Sequence, residues 1–225
     1  MDLSPLWISL KISITATSIT FFLGLAAAWF VLGYRGRLKG FIDGIFTLPM
    51  VLPPTVVGFF LLLFLGRNGP IGKLLSQFGT SLIFTWWAAV VAAAVVSFPL
   101  MYKTTRGAFE QIDENIVNAA RTLGVSEWKV FWKVTVPLAG PGIVAGTILA
   151  FARALGEFGA TLMVAGNMPG RTQTIPVAIF FAVEGGDMQT AYIWVLLIFT
   201  ISLTVMTVMN YWIEYQRKQG LVGTK

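Results

Sequence analysis

The sequence contains no cysteine and no histidine. The chain therefore has no disulfide, no thiolate nucleophile, no imidazole base and no zinc site built from these residues. Charge is also scarce, because 12% of the residues are charged whereas 56% are hydrophobic. Soluble domains carry about 25% charged residues. The composition indicates an integral membrane protein, and an intramembrane enzyme is disfavoured because the reactive groups that it would need are missing.

A phosphate-binding loop is missing as well. Gly72 and Lys73 are the nearest approach, but Arg67 stands where the motif needs glycine and Leu74 where it needs serine or threonine. If ATP drives this protein, the nucleotide binds to another chain. We therefore expect no catalytic residue, metal or cofactor in this chain, with MgATP on a partner.

Charge-free stretches long enough to cross about 30 Å of hydrocarbon dominate the chain. They cover residues 12–34, 44–66, 74–102, 134–152 and 188–213. They predict an all-α polytopic membrane protein with five transmembrane helices, in a single transmembrane domain over residues 1–225. The start of the third stretch is expected outside the membrane. A shorter apolar run, residues 172–183, is either a re-entrant or interfacial piece or a sixth span.

The lysines and arginines predict the orientation of these helices. If the loop around Asn118 is cytoplasmic, eleven of the sixteen basic residues lie inside and the N-terminus lies outside. The eleven are Arg35, Arg37, Lys39, Lys103, Arg106, Arg121, Lys129, Lys133, Arg217, Lys218 and Lys225. This bias accounts for the net charge of +6 without a nucleic-acid partner.

Prolines crowd the second apolar stretch, at positions 49, 53 and 54. A regular helix cannot contain all three, because each lacks the N–H donor that a helix uses. They mark either the cytoplasmic start of a helix or a broken helix beside a translocation path. In the second interpretation Pro53, Pro54, Thr55 and Gly58 face that path.

Arg153 and Glu157 are the charged residues closest to the apolar interior, and they lie one helical turn apart. An isolated charge at the bilayer centre costs about 2.5 to 3.5 kcal/mol on insertion scales, so we expect the two side chains to pair. They form either a structural ion pair near the outer interface or part of the path, with Arg153 lining it and Glu157 restraining Arg153.

Residues 118–137 form an amphipathic segment between the apolar stretches. Asp113 is a candidate N-cap for a helix that Gly124 ends in the left-handed conformation, and Ser126 can cap a second helix. On the first helix four small or apolar residues share one face: Ile116, Ala119, Ala120 and Leu123. Because two alanines let another backbone approach closely, this face is predicted to be a docking surface.

The same segment also resembles the turn of a DNA-binding helix-turn-helix. A recognition helix carries polar base readers at its start, whereas this one would present Glu127, Trp128 and two lysines. Apolar spans also lie on both sides. DNA binding is therefore disfavoured.

The segment resembles the cytoplasmic EAA loop of ABC importer permeases. In that family the loop is the coupling helix that sits in a groove of the ATPase subunit. The resemblance implies a cytoplasmic coupling loop over residues 105–136 whose main contacts come from Asn118, Ala119, Ala120, Leu123, Gly124 and Pro137. Asn118 stands where the family usually has glutamate, Val134 where it often has isoleucine, and Val136 where it often has leucine.

Residues 153–160, Arg-Ala-Leu-Gly-Glu-Phe-Gly-Ala, are similar to a signature of permeases for molybdate, tungstate and sulfate. Residues 48–58, 66–72 and 166–176 look like the molybdate branch. The sulfate branch usually carries an additional N-terminal span, so the chain length favours molybdate over sulfate, tungstate or another oxyanion.

The resemblance implies a permease, not itself an enzyme, in the inner membrane of a prokaryote, with membrane lipid around it. The resemblance further implies a homodimer with two ATPase subunits and an external oxyanion-binding protein, which is expected to meet the outer loop, residues 166–187. A dianion passing between the two copies would meet hydroxyl groups, although many of these only pack between helices. The hydroxyls belong to Thr15, Thr17, Ser18, Thr55, Ser97 and Thr147.

Overall fold

The computed structural model describes residues 2–222, with side chains described as far as residue 212 and at Glu214. The predicted cytoplasmic charges Arg217, Lys218 and Lys225 lie outside the described side chains. Over the described residues the chain is helical and has no strand. The helices are α1 Ser4–Gly33, α2 Lys39–Val51, α3 Pro54–Leu65, α4 Pro70–Gln77, α5 Trp86–Glu110, α6 Glu114–Thr122, α7 Glu127–Leu138, α8 Gly140–Leu155, α9 Gly159–Ala165, α10 Ile175–Glu184 and α11 Met188–Val222.

Within residues 2–222, three helices are long and apolar enough to cross a membrane, namely α1, α5 and the Met188–Trp212 part of α11. Two bent pairs, α2 with α3 and α7 with α8, raise the number to five if each pair is one span. The predicted all-α polytopic class is confirmed. The ten residues of α10 cover about 15 Å, half of the hydrocarbon thickness, so this helix is too short for a sixth span.

The core consists of α1, α5 and α8, packed together along their lengths. Small side chains make this possible, since Ala16 and Ala28 of α1 and Ala89 and Ala93 of α5 are fully buried. By contrast, only 11% of the apolar window of α11 is buried inside the chain. Helix α11 therefore presents most of its surface to lipid or to another chain.

The third and fourth apolar stretches are each divided between two helices. The stretch 74–102 is divided between the short helix α4 and the long helix α5, which begins at Trp86 and continues past Tyr102 to Glu110. Residues 105–110 of the predicted coupling loop thus belong to the last turns of α5, and the non-helical connection to α6 begins at Gln111. In the fourth stretch, Pro137 lies in the last turn of α7 and α8 begins at Gly140.

Both bent pairs have a chemical cause. The chain bends by 113° between α2 and α3. Pro53 is the N-cap of α3 and Pro54 is its first residue. The prolines therefore break the apolar stretch itself, as in the broken-helix interpretation. Helices α7 and α8 meet at 74°. The bend lies at Ala139, directly before Gly140 and Pro141, the first two residues of α8. Within α7, residues 131–135 form a π-helical turn closed by the Val136 N–H on the Phe131 carbonyl, ahead of Pro137, which has no N–H to donate.

Candidate functional site

Helix α6 is delimited as its sequence predicts. The Asp113 side chain accepts a hydrogen bond of 2.9 Å from the Asn115 N–H. Gly124 follows the helix at φ 74°, and its N–H donates to the Arg121 carbonyl. Ser126 occupies the N-cap of α7, but its side chain makes no capping hydrogen bond. The predicted helix, glycine turn and second helix are thus present.

The apolar face of α6 points away from the rest of the chain. No α6 residue is buried, and the side chains of Ile116 and Leu123 are 47% and 82% exposed. Ala119 lies on the same exposed side, with Ala120 partly covered. An exposed apolar face of this kind marks an interaction site, which agrees with the predicted docking surface.

A clamp between α6 and α7 sets the angle of the turn. Arg121 donates from Nε to Glu127 Oε1 at 2.7 Å and from Nη2 to Glu127 Oε2 at 3.0 Å. Its Nη1 donates to Asn118 Oδ1 at 3.2 Å. The side-chain oxygen of the asparagine that replaces the usual glutamate therefore has its hydrogen-bond partner within this chain. The hydrogen bonds to Glu127 raise the pKa of Arg121 above its ordinary value. Sequence reasoning missed this clamp because its residues face each other across a turn.

Aromatic rings fasten the second helix to the core. Phe131 is 5% exposed, and its ring lies 4.5 Å from Trp29 of α1 and 6.1 Å from Phe109 of α5. Helix α6 itself stands off from the core, with a cavity of about 650 Å³ between it and the end of α1. Displacement of α6 would therefore be passed on through α7 and the C-terminal end of α5.

The first broken helix contacts α9, the short helix that follows α8. A Cβ atom at Gly58 of α3 would lie 2.8 Å from the Ala160 Cα of α9. A Cβ atom at Gly159 would lie 3.2 Å from the Pro54 Cβ and from Thr55. The structure thus brings the path candidates Pro54, Thr55 and Gly58 next to the segment that follows Glu157. Gly58 is buried in this contact, whereas Pro53 and Thr55 are exposed; their place on a path stays a prediction.

Arg153 and Glu157 form the predicted pair, with 2.8 Å between Arg153 Nη1 and Glu157 Oε2. The contact lacks hydrogen-bond alignment and is mainly electrostatic. Glu157 Oε1 accepts a hydrogen bond of 2.8 Å from the Ala160 N–H, so the carboxylate also holds the start of α9. The Glu157 side chain is 1% exposed and that of Arg153 is 31% exposed. Only the guanidinium is therefore open to a ligand.

Several of the predicted hydroxyl donors form hydrogen bonds with the backbone of their own helix. Ser18, Ser97 and Thr147 each donate to the carbonyl four residues earlier, at 2.7 to 2.9 Å. The Thr17 hydroxyl is buried without a hydrogen-bond partner among the described residues. In this conformation the first three hydroxyls do not offer their protons to an anion.

The contact between α3 and α9 predicts a stability effect. Gly58→Ala places a methyl group 2.8 Å from backbone, so we expect the variant to lose about 1–3 kcal/mol of stability. Gly44→Ala on α2 is the matched control, since its new methyl group has no atom within 4 Å and alanine favours the helix. Thermal unfolding of both variants in detergent measures the difference. Equal unfolding temperatures would contradict close packing of α3 on α9.

Comparison with known proteins agrees with this geometry. A putative molybdenum transport system permease protein, YvgM of Bacillus subtilis, is 47% identical over 206 residues and covers 90% of both chains. The molybdenum transport system permease protein ModB of Haemophilus influenzae is 40% identical, over 98% of this chain and 97% of the relative. A structure of the MetNI methionine ABC transporter superposes with a TM-score of 0.72 over 94% of both chains, at 15% identity.

The family model for this fold covers nearly all of the described chain. It matches residues 20–218, a range that includes both broken helices and the complete coupling segment. The chain therefore belongs to the family of binding-protein-dependent transport system inner membrane components.

Proposed function

We propose that this chain is the permease subunit of an ATP-driven importer that carries molybdate across the inner membrane. The observation that carries the proposal is the 47% and 40% identity to molybdenum transport permeases along almost the whole chain. The family implies an ATPase and a substrate-binding protein as partners in general. The chain supplies the route and the partner ATPase supplies the chemistry, with MgATP bound there.

In this proposal the exposed face of α6 docks on the ATPase. Closure of two ATPase subunits around MgATP moves α6, and the clamp between Arg121 and Glu127 makes α7 move with it. Phe131 transmits the displacement to α1 and α5 through its aromatic contacts. The helices then alternate between an inward and an outward opening.

The anion would pass between two copies of this chain, beside the contact between α3 and α9. Arg153 is suited to contact it, because its ion pair leaves other N–H groups of the half-buried guanidinium available. The adjacent carboxylate of Glu157 weakens the attraction for a dianion. A route needs such weak binding, since a site that traps its ion cannot release it.

The remaining details follow the distribution of charge. The basic residues favour a cytoplasmic α6, an outer N-terminus and a cytoplasmic C-terminus. Residues 166–187, which contain α10, then lie outside and would meet the oxyanion-binding protein. These assignments agree with the contact between the end of α5 and the start of α8, where a Cβ atom at Gly142 would meet Ala108, so that residues 111–137 begin and end on the same side of the bundle.

Uptake by cells that carry this chain with its ATPase and binding protein tests the proposal. We expect labelled molybdate to accumulate, and about a hundredfold excess of unlabelled molybdate to abolish accumulation by mass action. The same excess of sulfate should leave it nearly unchanged. If sulfate or tungstate lowered the accumulation of label as much as molybdate does, the assignment of molybdate as the cargo would have to be changed. If no oxyanion accumulated, the proposal of an importer would be wrong.

A further inference from the structure

We propose that Asp43, Tyr102 and Arg106 form a polar clasp that joins α2, the first half of the first broken helix, to the part of α5 that leads into the coupling segment, and so positions α2 during transport. Tyr102 donates its hydroxyl to Asp43 Oδ1 at 2.8 Å, and Arg106 Nη1 approaches the same oxygen at 2.7 Å. Arg106 Nη1 also donates to the Tyr102 oxygen at 3.2 Å. One carboxylate oxygen of α2 thus holds two side chains of α5.

The clasp is important because α2 has few other attachments. None of its residues is buried, and its main packing partner among the described helices is α5. Beside the clasp, Phe46 of α2 places its ring 5.3 Å from Tyr102 and 5.6 Å from Phe98, edge to face in both cases. The apolar side chains of Phe46 and Ile42, together with the polar clasp, therefore hold α2 to the core.

The two halves of the broken helix have different main packing partners. Helix α3 packs mainly on α9, through Gly58, and to a smaller extent on α5, whereas α2 packs mainly on α5. Because the chain bends by 113° between the two halves and no continuous helix joins them, we expect each half to move with its main packing partner. Displacement of α5 relative to α9 would open or close the angle between them.

The clasp also lies close to the ATPase side. Arg106 donates from Nε to Glu110 at 2.8 Å, which stiffens the last turn of α5, and Asp113, the N-cap of α6, follows three residues later. Movement of α6 therefore reaches Arg106 through a short, hydrogen-bonded stretch. The clasp would carry that movement to α2 and to the break. This inference rests on the proposed docking of α6 on an ATPase.

The ratio of anion uptake to ATP hydrolysis, measured with the complex in liposomes, tests the clasp. We expect Asp43→Asn and Arg106→Gln each to lower this ratio about fivefold or more, the range of ordinary coupling energies. The double variant should be no worse than either single one, because both remove the same contact. Thr47→Val is the control, since its hydroxyl, one turn from Asp43, bonds only within α2.

Hydrogen–deuterium exchange of the purified complex provides a second measurement that needs no cargo. The two single variants should exchange faster over α2 than wild type, with α3 and α9 unchanged. A wild-type ratio or wild-type protection of α2 in both variants would overturn the proposal. The ratio is measured with whichever oxyanion the wild type carries, so a wrong assignment of molybdate does not affect this test.

Discussion

The substitution Gly124→Val should remove the ATPase subunits from the purified permease. Gly124 has φ 74°, a conformation that costs an L-residue about 1–2 kcal/mol and is a true outlier for a β-branched one. Relaxation to a negative φ would redirect α7 relative to α6 and separate Arg121 from Glu127. Strain of this size alone weakens binding roughly 5- to 30-fold. A pull-down of the permease with its ATPase measures the loss.

The chain offers a closely matched control for this experiment. Gly186 has φ 75°, its N–H donates to a carbonyl three residues earlier, and a Cβ atom at either glycine would meet no atom within 4 Å. Gly186→Val therefore introduces the same strain at the end of α10, outside the coupling segment, and ATPase binding should persist. Gly124→Asn should retain most binding, since asparagine tolerates this conformation. Normal binding by Gly124→Val would contradict the docking role of α6.

The ends of α6 could be predicted from sequence because they depend on local chemistry. An aspartate before the first turn and a glycine after the last one satisfy free backbone groups wherever the rest of the chain lies. The exposure of Leu123 could also be predicted from the sequence. Helix α6 is mostly polar, and the small residues on its apolar face bury too little apolar surface to form a core. Family resemblance added the partner for that face.

The contacts between distant residues could not be predicted in this way. Asp43 is 63 residues from Arg106, and no spacing rule joins them. The three prolines showed that the second apolar stretch was irregular, but its 113° bend depends on α3 packing against α9. Likewise, the spacing of Arg153 and Glu157 predicted their pairing, whereas the burial of only one partner depends on the tertiary fold.

This unequal burial predicts unequal effects of neutralising the two charges. Arg153→Gln leaves a carboxylate with a 1% exposed side chain unpaired, and breaking a buried pair in this way costs about 3–5 kcal/mol. Glu157→Gln should destabilise the fold less, since Arg153 is 31% exposed and glutamine can still accept from the Ala160 N–H. Thermal unfolding of each purified variant gives the order. The double variant should be more stable than Arg153→Gln alone, because it leaves no uncompensated charge.

Uptake measurements can show whether the pair between Arg153 and Glu157 is only structural or is part of the anion route. If Glu157 restrains Arg153, Glu157→Gln frees the guanidinium to hold a dianion, so uptake should show a lower half-saturating concentration and a lower maximal rate, with normal ATPase assembly. A purely structural pair would lower the amount of assembled transporter without changing the half-saturating concentration. Uptake at wild-type rate and affinity by both single variants, with assembly intact, would contradict any role of the pair in anion passage. The opposite charges of the two residues make this distinction possible, because removing the negative one strengthens binding whereas removing the positive one weakens it.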